Sequence, residues 1–149
     1  MSEPINLAER RAASMAKLKT LVKTRTETLA LFSELASKRP FRSDPMVHEV
    51  LQEFCEALVD YTASAHFQLY RYFEEGRERR QAVLQVAEEL YPRIAETTER
   101  IIEFNDKYDA DSSGESFDSL ADDLSRLGEI LADRINLEDR VIAALGENR

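Results

Sequence analysis

Phe54-Cys55-Glu56-Ala57-Leu58-Val59-Asp60-Tyr61-Thr62-Ala63-Ser64-Ala65-His66-Phe67-Gln68-Leu69-Tyr70 contains neither Gly nor Pro, and its apolar residues recur at steps of three and four. That period is the signature of an amphipathic helix. Wound at about 100° per residue, Phe54, Leu58, Tyr61, Ala65 and Leu69 gather on one stripe. Cys55, Val59 and His66 flank it. Asp60 and Phe67 fall nearly opposite, side by side. A helix that faces a core should have a polar back. An aromatic on that back, beside an acid, is the pattern of a partner surface.

Reading outward, this helix begins at Asp44-Pro45, an acid at the N-cap with Pro in the first turn. It ends near Glu75, before Gly76. Helix 1 runs from about Leu7, after a capping-box-like Asn6 and Glu9, to about Ser37. Its stripe is read as Met15, Leu18, Val22, Arg25, Leu29, Phe32 and Ala36. Lys38-Arg39-Pro40-Phe41-Arg42 ends it, because Pro40 disfavours helix at the preceding residue. Helix 3 follows from about Glu78 to Tyr108, with Val83, Ala87, Leu90, Ile94, Thr97, Ile101, Phe104 and Tyr108 on its stripe. Pro92 lies inside it and predicts a kink or a break. After the acidic loop Asp109-Ala-Asp-Ser-Ser-Gly-Glu115, Ser116 can cap helix 4, which runs to about Leu145. Phe117, Leu120, Leu124, Leu127, Leu131, Arg134, Glu138, Val141 and Leu145 form its stripe.

Four helices of about 30 residues would each be about 45 Å long. Short connections favour antiparallel neighbours. The expectation is an all-α chain, a single domain over residues 1–149. It is an antiparallel up-down four-helix bundle with a Pro-kinked third helix. Its helices fall at about 7–37, 45–75, 78–108 and 116–145. Four Gly, four Pro and no Trp in 149 residues agree with a helical chain of this size. The single Cys excludes an intramolecular disulfide and fits a reducing compartment. No signal peptide and no membrane-length apolar run is visible, so a cytoplasmic protein is expected.

The net charge of −9 is unevenly spread. Residues 1–43 carry nine Lys/Arg and four Asp/Glu, a balance of +5; residues 44–149 carry eleven and 25, a balance of −14. An acidic body disfavours nucleic acid as a direct partner, because phosphates require Lys and Arg. It favours a basic protein segment, which it attracts over distance. Acidity for solubility alone is the plainer alternative.

Arg25, His66, Arg134 and Glu138 lie at core-facing positions, so they should form a polar layer. Arg134 and Glu138, four apart, can pair on one helix. The layer is either a satisfied buried network or the lining of a cavity that tunes a binding face. A metal site is not expected, because no Glu-x-x-His occurs and the two histidines are far apart on one helix. Asp109-x-Asp111-x-Ser113-Gly114 matches half of a calcium loop, but Leu120 stands where a bidentate Glu is needed. No phosphate loop, nucleophile elbow or zinc spacing occurs, so neither catalysis nor a cofactor is expected. Glu53, Glu56, Asp60, Phe67 and Arg71 share the outer face of helix 2. That face is either merely solvated with one stray aromatic, or a platform for a basic segment.

Phe54-Cys55, Leu58-Val59-Asp60-Tyr61, His66-Phe67 and Tyr70 together resemble the core motif of the Rsd/AlgQ family, the regulators of sigma D. Tyr91-Pro92, with the helix down to Tyr108-Asp109, resembles that family's aromatic-Pro helix. Leu127-Gly128-Glu129 through Arg134 to Leu137-Glu138-Asp139 resembles its final helix. Leu21 stands where the family has a tryptophan, and Lys23 where a histidine is expected. The resemblance implies an anti-sigma factor that covers region 4 of the primary sigma factor and sequesters it stoichiometrically, as a monomer or weak dimer. It implies that Asp60 pairs with a sigma arginine and Phe67 makes apolar contact, with Glu56 and Arg71 beside them. Tyr61, Tyr70 and Asp139 then join Arg25, His66, Arg134 and Glu138 as a polar layer supporting that face. Two other readings stay open. One is a signalling adaptor of the same fold with a non-sigma partner; the other is a small-molecule or metal sensor built on the polar layer.

Overall fold

The computed structural model describes residues 7–42, 44–74, 76, 79–109 and 117–146. Among them are α1 (Leu7–Ala36), α2 (Pro45–Ala65), a π-helical turn (His66–Tyr70) and α3 (Arg71–Glu74). After these come α4 (Gln81–Tyr108), a 3-10 turn (Phe117–Ser119) and α5 (Leu120–Gly146). α2, the π turn and α3 run on without a break, so the described residues form four long helical rods and no strand.

Local chemistry sets the helix ends. Asp44 holds an extended backbone and its Oδ1 accepts from the Val47 N–H at 2.9 Å, with Pro45 in the first turn. Such a cap contributes about 1 kcal/mol. Gly76 closes the second rod at φ 69°, a left-handed conformation that glycine adopts without penalty. α4 begins at Gln81, later than the expected Glu78, because Arg80 is still extended at φ −77°, ψ 119°. Pro92 lies within α4, which continues through it from Gln81 to Tyr108. Asn6, Ser116 and the acidic loop over 110–116 lie outside the described residues.

α1 packs mainly on α2, and α4 mainly on α5; α2 meets α4, and α1 meets α5. Several contacts show how the rods lie against one another. Thr28 and Phe32 meet Ala57 and Phe54 in that order. Cys55 and Gln52 reach the Tyr108 carbonyl, Phe54 meets Phe104, and Tyr70 and Phe73 meet Tyr91. Lys107 meets Asp123, Thr97 and Thr98 meet Arg134, and Arg80 reaches the Leu145 carbonyl. Phe54 is the hub. It is fully buried and takes Phe32 and Phe104 edge-on, each at 5.9 Å between ring centroids. Such pairs add about 0.5–1.5 kcal/mol beyond the area they bury.

The buried face of α4 comprises the eight residues of the expected stripe. On α5, Leu137 joins the buried stripe, while Phe117 and Leu145 are only half-buried. Helix 1 differs. Its buried face is Leu18, Leu21, Thr28 and Leu35, whereas Val22 and Leu29 are 38% and 36% exposed. Leu21-Thr28-Leu35 and Val22-Leu29-Ala36 are neighbouring rows with the same spacing, and apolar content alone favours the second. Packing on α2 selects the first. The Thr28 hydroxyl bonds its own helix at Thr24 O (2.8 Å) and reaches Ala57 O (3.2 Å), so it sits in the interface without an unmet polar group. Met15 lies outside the residues whose side chains are described.

Candidate functional site

Two neighbourhoods, on opposite sides of the second rod, hold the residues singled out in the sequence. The first is buried. Arg134 and Glu138, one turn apart on α5, are both fully excluded from solvent. Arg134 Nε donates to Glu138 Oε2 (3.2 Å) and to the Tyr61 hydroxyl oxygen (3.1 Å). Its Nη1 donates to Thr98 Oγ1 (2.6 Å) and Thr97 Oγ1 (3.3 Å), and its Nη2 to the Tyr70 hydroxyl oxygen (3.3 Å). Both tyrosines pass the chain on. The Tyr61 hydroxyl donates to Glu138 Oε1, and the Tyr70 hydroxyl to Glu138 Oε2 at 2.9 Å. Each phenol therefore accepts from the cation and donates to the anion. The guanidinium also lies over both rings, at 5.1 Å from the Tyr61 centroid and 5.8 Å from that of Tyr70.

At the rim, Arg25 of α1 bonds Asp139 at 2.8 Å and stands 3.7 Å from Glu138. Two cations and two anions thus balance within one cluster. Burial pushes both phenols above their ordinary range; Glu138 adds to the shift and Arg134 opposes it. For Arg134, burial works against the charge, but the phenols and Glu138 outweigh it and its pKa is raised. The cluster stays ionised at Arg134 and protonated at both tyrosines throughout the neutral range.

Of the residues expected in this layer, Arg25, Tyr61, Tyr70, Arg134, Glu138 and Asp139 come together. His66 does not. It is exposed, and its ring stands edge-on to Phe67 at 5.1 Å. Thr97 and Thr98 were missed as partners of the cation. The sequence signal for Thr97 was a hydroxyl residue on an apolar stripe facing an arginine.

The second neighbourhood is the outer face of the same rod. Phe67 is 59% exposed and Val59 53%, with Ala63 exposed between them one turn from each. Glu56, Asp60 and Arg71 are exposed alongside. The Arg71 guanidinium lies 6.0 Å from the centroid of the Phe67 ring. Val59 was expected beside the core; instead it belongs to this surface. The face is therefore an apolar ridge, Val59-Ala63-Phe67, with acids on one flank and His66 and Arg71 near its end. Leu21 is fully buried.

Cys55 is buried with its Sγ 3.7 Å from the Tyr108 carbonyl. Burial, then the charges of Asp109 and Glu56, push its thiol up to about 12. Among the described residues, no group of three or more His, Cys, Asp or Glu is placed to hold a metal. No described helix is long and apolar enough to cross a membrane.

The chain is 28% identical over 151 residues to the regulator of sigma D of Yersinia enterocolitica, covering 96% of this chain and 88% of that protein. It is 29% identical over 150 residues to the regulator of sigma D of an Enterobacter species, with the same coverage of both chains. The Yersinia pestis regulator of sigma D matches at 28% identity over 151 residues, covering 96% of this chain and 87% of that one. No solved structure gives a significant match. The family model described as regulator of RNA polymerase sigma(70) subunit, Rsd/AlgQ, matches residues 1–146, and the chain belongs to that family.

Proposed function

We propose that this protein is an anti-sigma factor that binds region 4 of the primary sigma factor and holds it away from core polymerase and promoter. The carrying observation is the exposed ridge Val59-Ala63-Phe67 with Glu56, Asp60 and Arg71 around it. In the resemblance, region 4 is a basic helix-turn-helix. An acidic body with an apolar ridge offers such a domain long-range attraction and a dry central contact. Asp60 pairs with a sigma arginine, and Phe67 supplies the apolar anchor beside it. The mechanism is stoichiometric occlusion and uses no cofactor.

The buried layer of Arg25, Tyr61, Tyr70, Arg134, Glu138 and Asp139 fixes the rod that carries this face. The order of contacts along the rods supports a single antiparallel up-down bundle; Pro92, which lacks the N–H for its helix bond, bends α4 in it. Such a regulator works in the cytoplasm, as a monomer or weak dimer.

Size-exclusion chromatography with the primary sigma factor of the same organism tests the proposal. Co-elution at micromolar concentration, weakening as salt rises, is expected. Separate elution at moderate salt overturns it. Capture of another protein in place of sigma would favour the adaptor reading.

A further inference from the structure

The π turn at His66–Tyr70 lies between the two neighbourhoods. In an unbroken α-helix Tyr70 would point about 140° away from Ala65, on the outer side of the rod. Phe73 would point about 80° away. Both are found inside: Phe73 is buried, and the Tyr70 hydroxyl reaches Glu138 Oε2 at 2.9 Å. The turn accounts for this. The Arg71 N–H bonds the His66 carbonyl, five residues back, so the turn accommodates one residue more than an α turn. The extra residue takes back about 100° of rotation for everything after it. Tyr70 then stands about 40° from Ala65, on the inner side, while Phe67, within the turn itself, stays exposed on the outer side.

The extra residue carries a cost. The backbone leaves its preferred hydrogen-bond pattern, and Gln68 Oε1 is buried with no hydrogen bond. Something on the inner side must offset that cost. The Tyr70 hydroxyl does so, gripped by Glu138 and Arg134; the ring contacts of Tyr70 and Phe73 on Tyr91, at 5.4 and 5.5 Å, add apolar grip.

We propose that Tyr70 is a positioning residue for the outer face: its hydroxyl, anchored on Glu138 and Arg134, holds the π turn, and the π turn carries Phe67 at the end of the exposed ridge. Loss of the hydroxyl frees the turn to slip towards α register and shifts the backbone that carries Phe67. The buried cluster thereby sets the geometry of the surface without touching a partner.

The test compares Tyr70→Phe with Thr98→Ala in the full-length chain. Both remove one bond to Arg134, but only the first releases the turn. Backbone amide hydrogen exchange is read for residues 66–73 and, as reference, for the middle of α5. The expected result for Tyr70→Phe is exchange at least about tenfold faster over 66–73 with α5 little changed. In Thr98→Ala any loss of protection should be uniform. Equal acceleration in both variants, or unchanged exchange over 66–73 in Tyr70→Phe, overturns the proposal. A second chain, lacking Gln68, returns the segment to α spacing and keeps Tyr70 inside and Arg71 outside. In that background Tyr70→Phe should produce no selective acceleration, and a persisting one counts against the proposal. The same substitutions bear on partner affinity, and that effect alone presupposes the sigma-regulator reading. If exchange responds and sigma does not bind either chain, the partner is wrong and the turn is right.

Discussion

Arg134 and Glu138 face one another at 3.2 Å with neither side chain exposed, and each is held by both Tyr61 and Tyr70. Taking two charges out of water is costly, so a pair like this stabilises only while all of its partners are present. Arg134→Met leaves the buried Glu138 with two phenols and, of the two cations, only Arg25 at 3.7 Å. It should lower the unfolding free energy by about 3–5 kcal/mol. Arg134→Met combined with Glu138→Gln should cost less than the two single changes added, by at least about 1 kcal/mol. Urea denaturation of the four chains of this cycle measures both quantities.

Phe67→Ala and Asp60→Ala remove exposed side chains of the outer face. Each should leave the unfolding free energy within about 0.5 kcal/mol of the parent. Each should weaken sigma binding by about tenfold or more in a titration of the primary sigma factor. Ile102 of α4, 50% exposed, provides the control: Ile102→Ser should change neither quantity. Unchanged affinity in both Phe67→Ala and Asp60→Ala moves the interface elsewhere.

Cys55 should be chemically silent in the folded protein. Burial and neighbouring carboxylates raise its thiol to about 12, so almost no thiolate exists at pH 8. A thiol reagent such as dithiobisnitrobenzoate should react with no thiol in the native chain and with one per chain in denaturant. Rapid native reaction at pH 8 would contradict the burial described.

Alkali should find the weak side of the buried cluster. Tyr61 and Tyr70 have phenols raised above their unfolded value of 10.0. The sign follows from linkage: the unfolded chain releases these protons first, so rising pH favours unfolding. Their contribution should be complete below pH 10 and fall as pH climbs above it. Asp123 acts in the opposite direction. Burial alone would raise its pKa, but hydrogen bonds from Lys107 and Tyr108 lower it on balance. Its contribution should be present at neutral pH and fade below the ordinary carboxylate range. Thermal melts from pH 3 to 11 record both limits, and Tyr70→Phe should soften the alkaline one.

The fold was legible where one apolar row had no rival. On α4 the stripe from Val83 to Tyr108 steps by four and three throughout, and its position in the structure agrees residue for residue. On α1 two adjacent rows compete, and only contact with Ala57 decides between them. Arg134 and Glu138 were legible as a pair because they sit four apart on an apolar stripe. The third and fourth members, Tyr61 and Tyr70, came from different sources. Tyr61 lies on the stripe, whereas Tyr70 lies off it by α-helical geometry and was named through the family motif. A π turn leaves no mark in a periodicity count until a residue on its far side is located. His66 differs for a simpler reason: about 100° from Ala65, it stands at the edge of the stripe, where angle alone does not decide the side. It was assigned to the inner flank from its angle, yet its ring lies outside against Phe67.

The bond between Arg25 and Asp139 also bears on how the chain folds. The two residues are 114 positions apart. The contact of Lys107 with Asp123 and that of Thr28 with Ala57 close much shorter stretches, of 16 and 29 positions. Closing a longer loop removes more chain freedom. The helical hairpins α1–α2 and α4–α5 can therefore form early and independently. The seam between the first and last helices, which closes the longest loop, is then expected to form after them, with Arg25 as its latch and the Arg134–Glu138 pair sealed behind it.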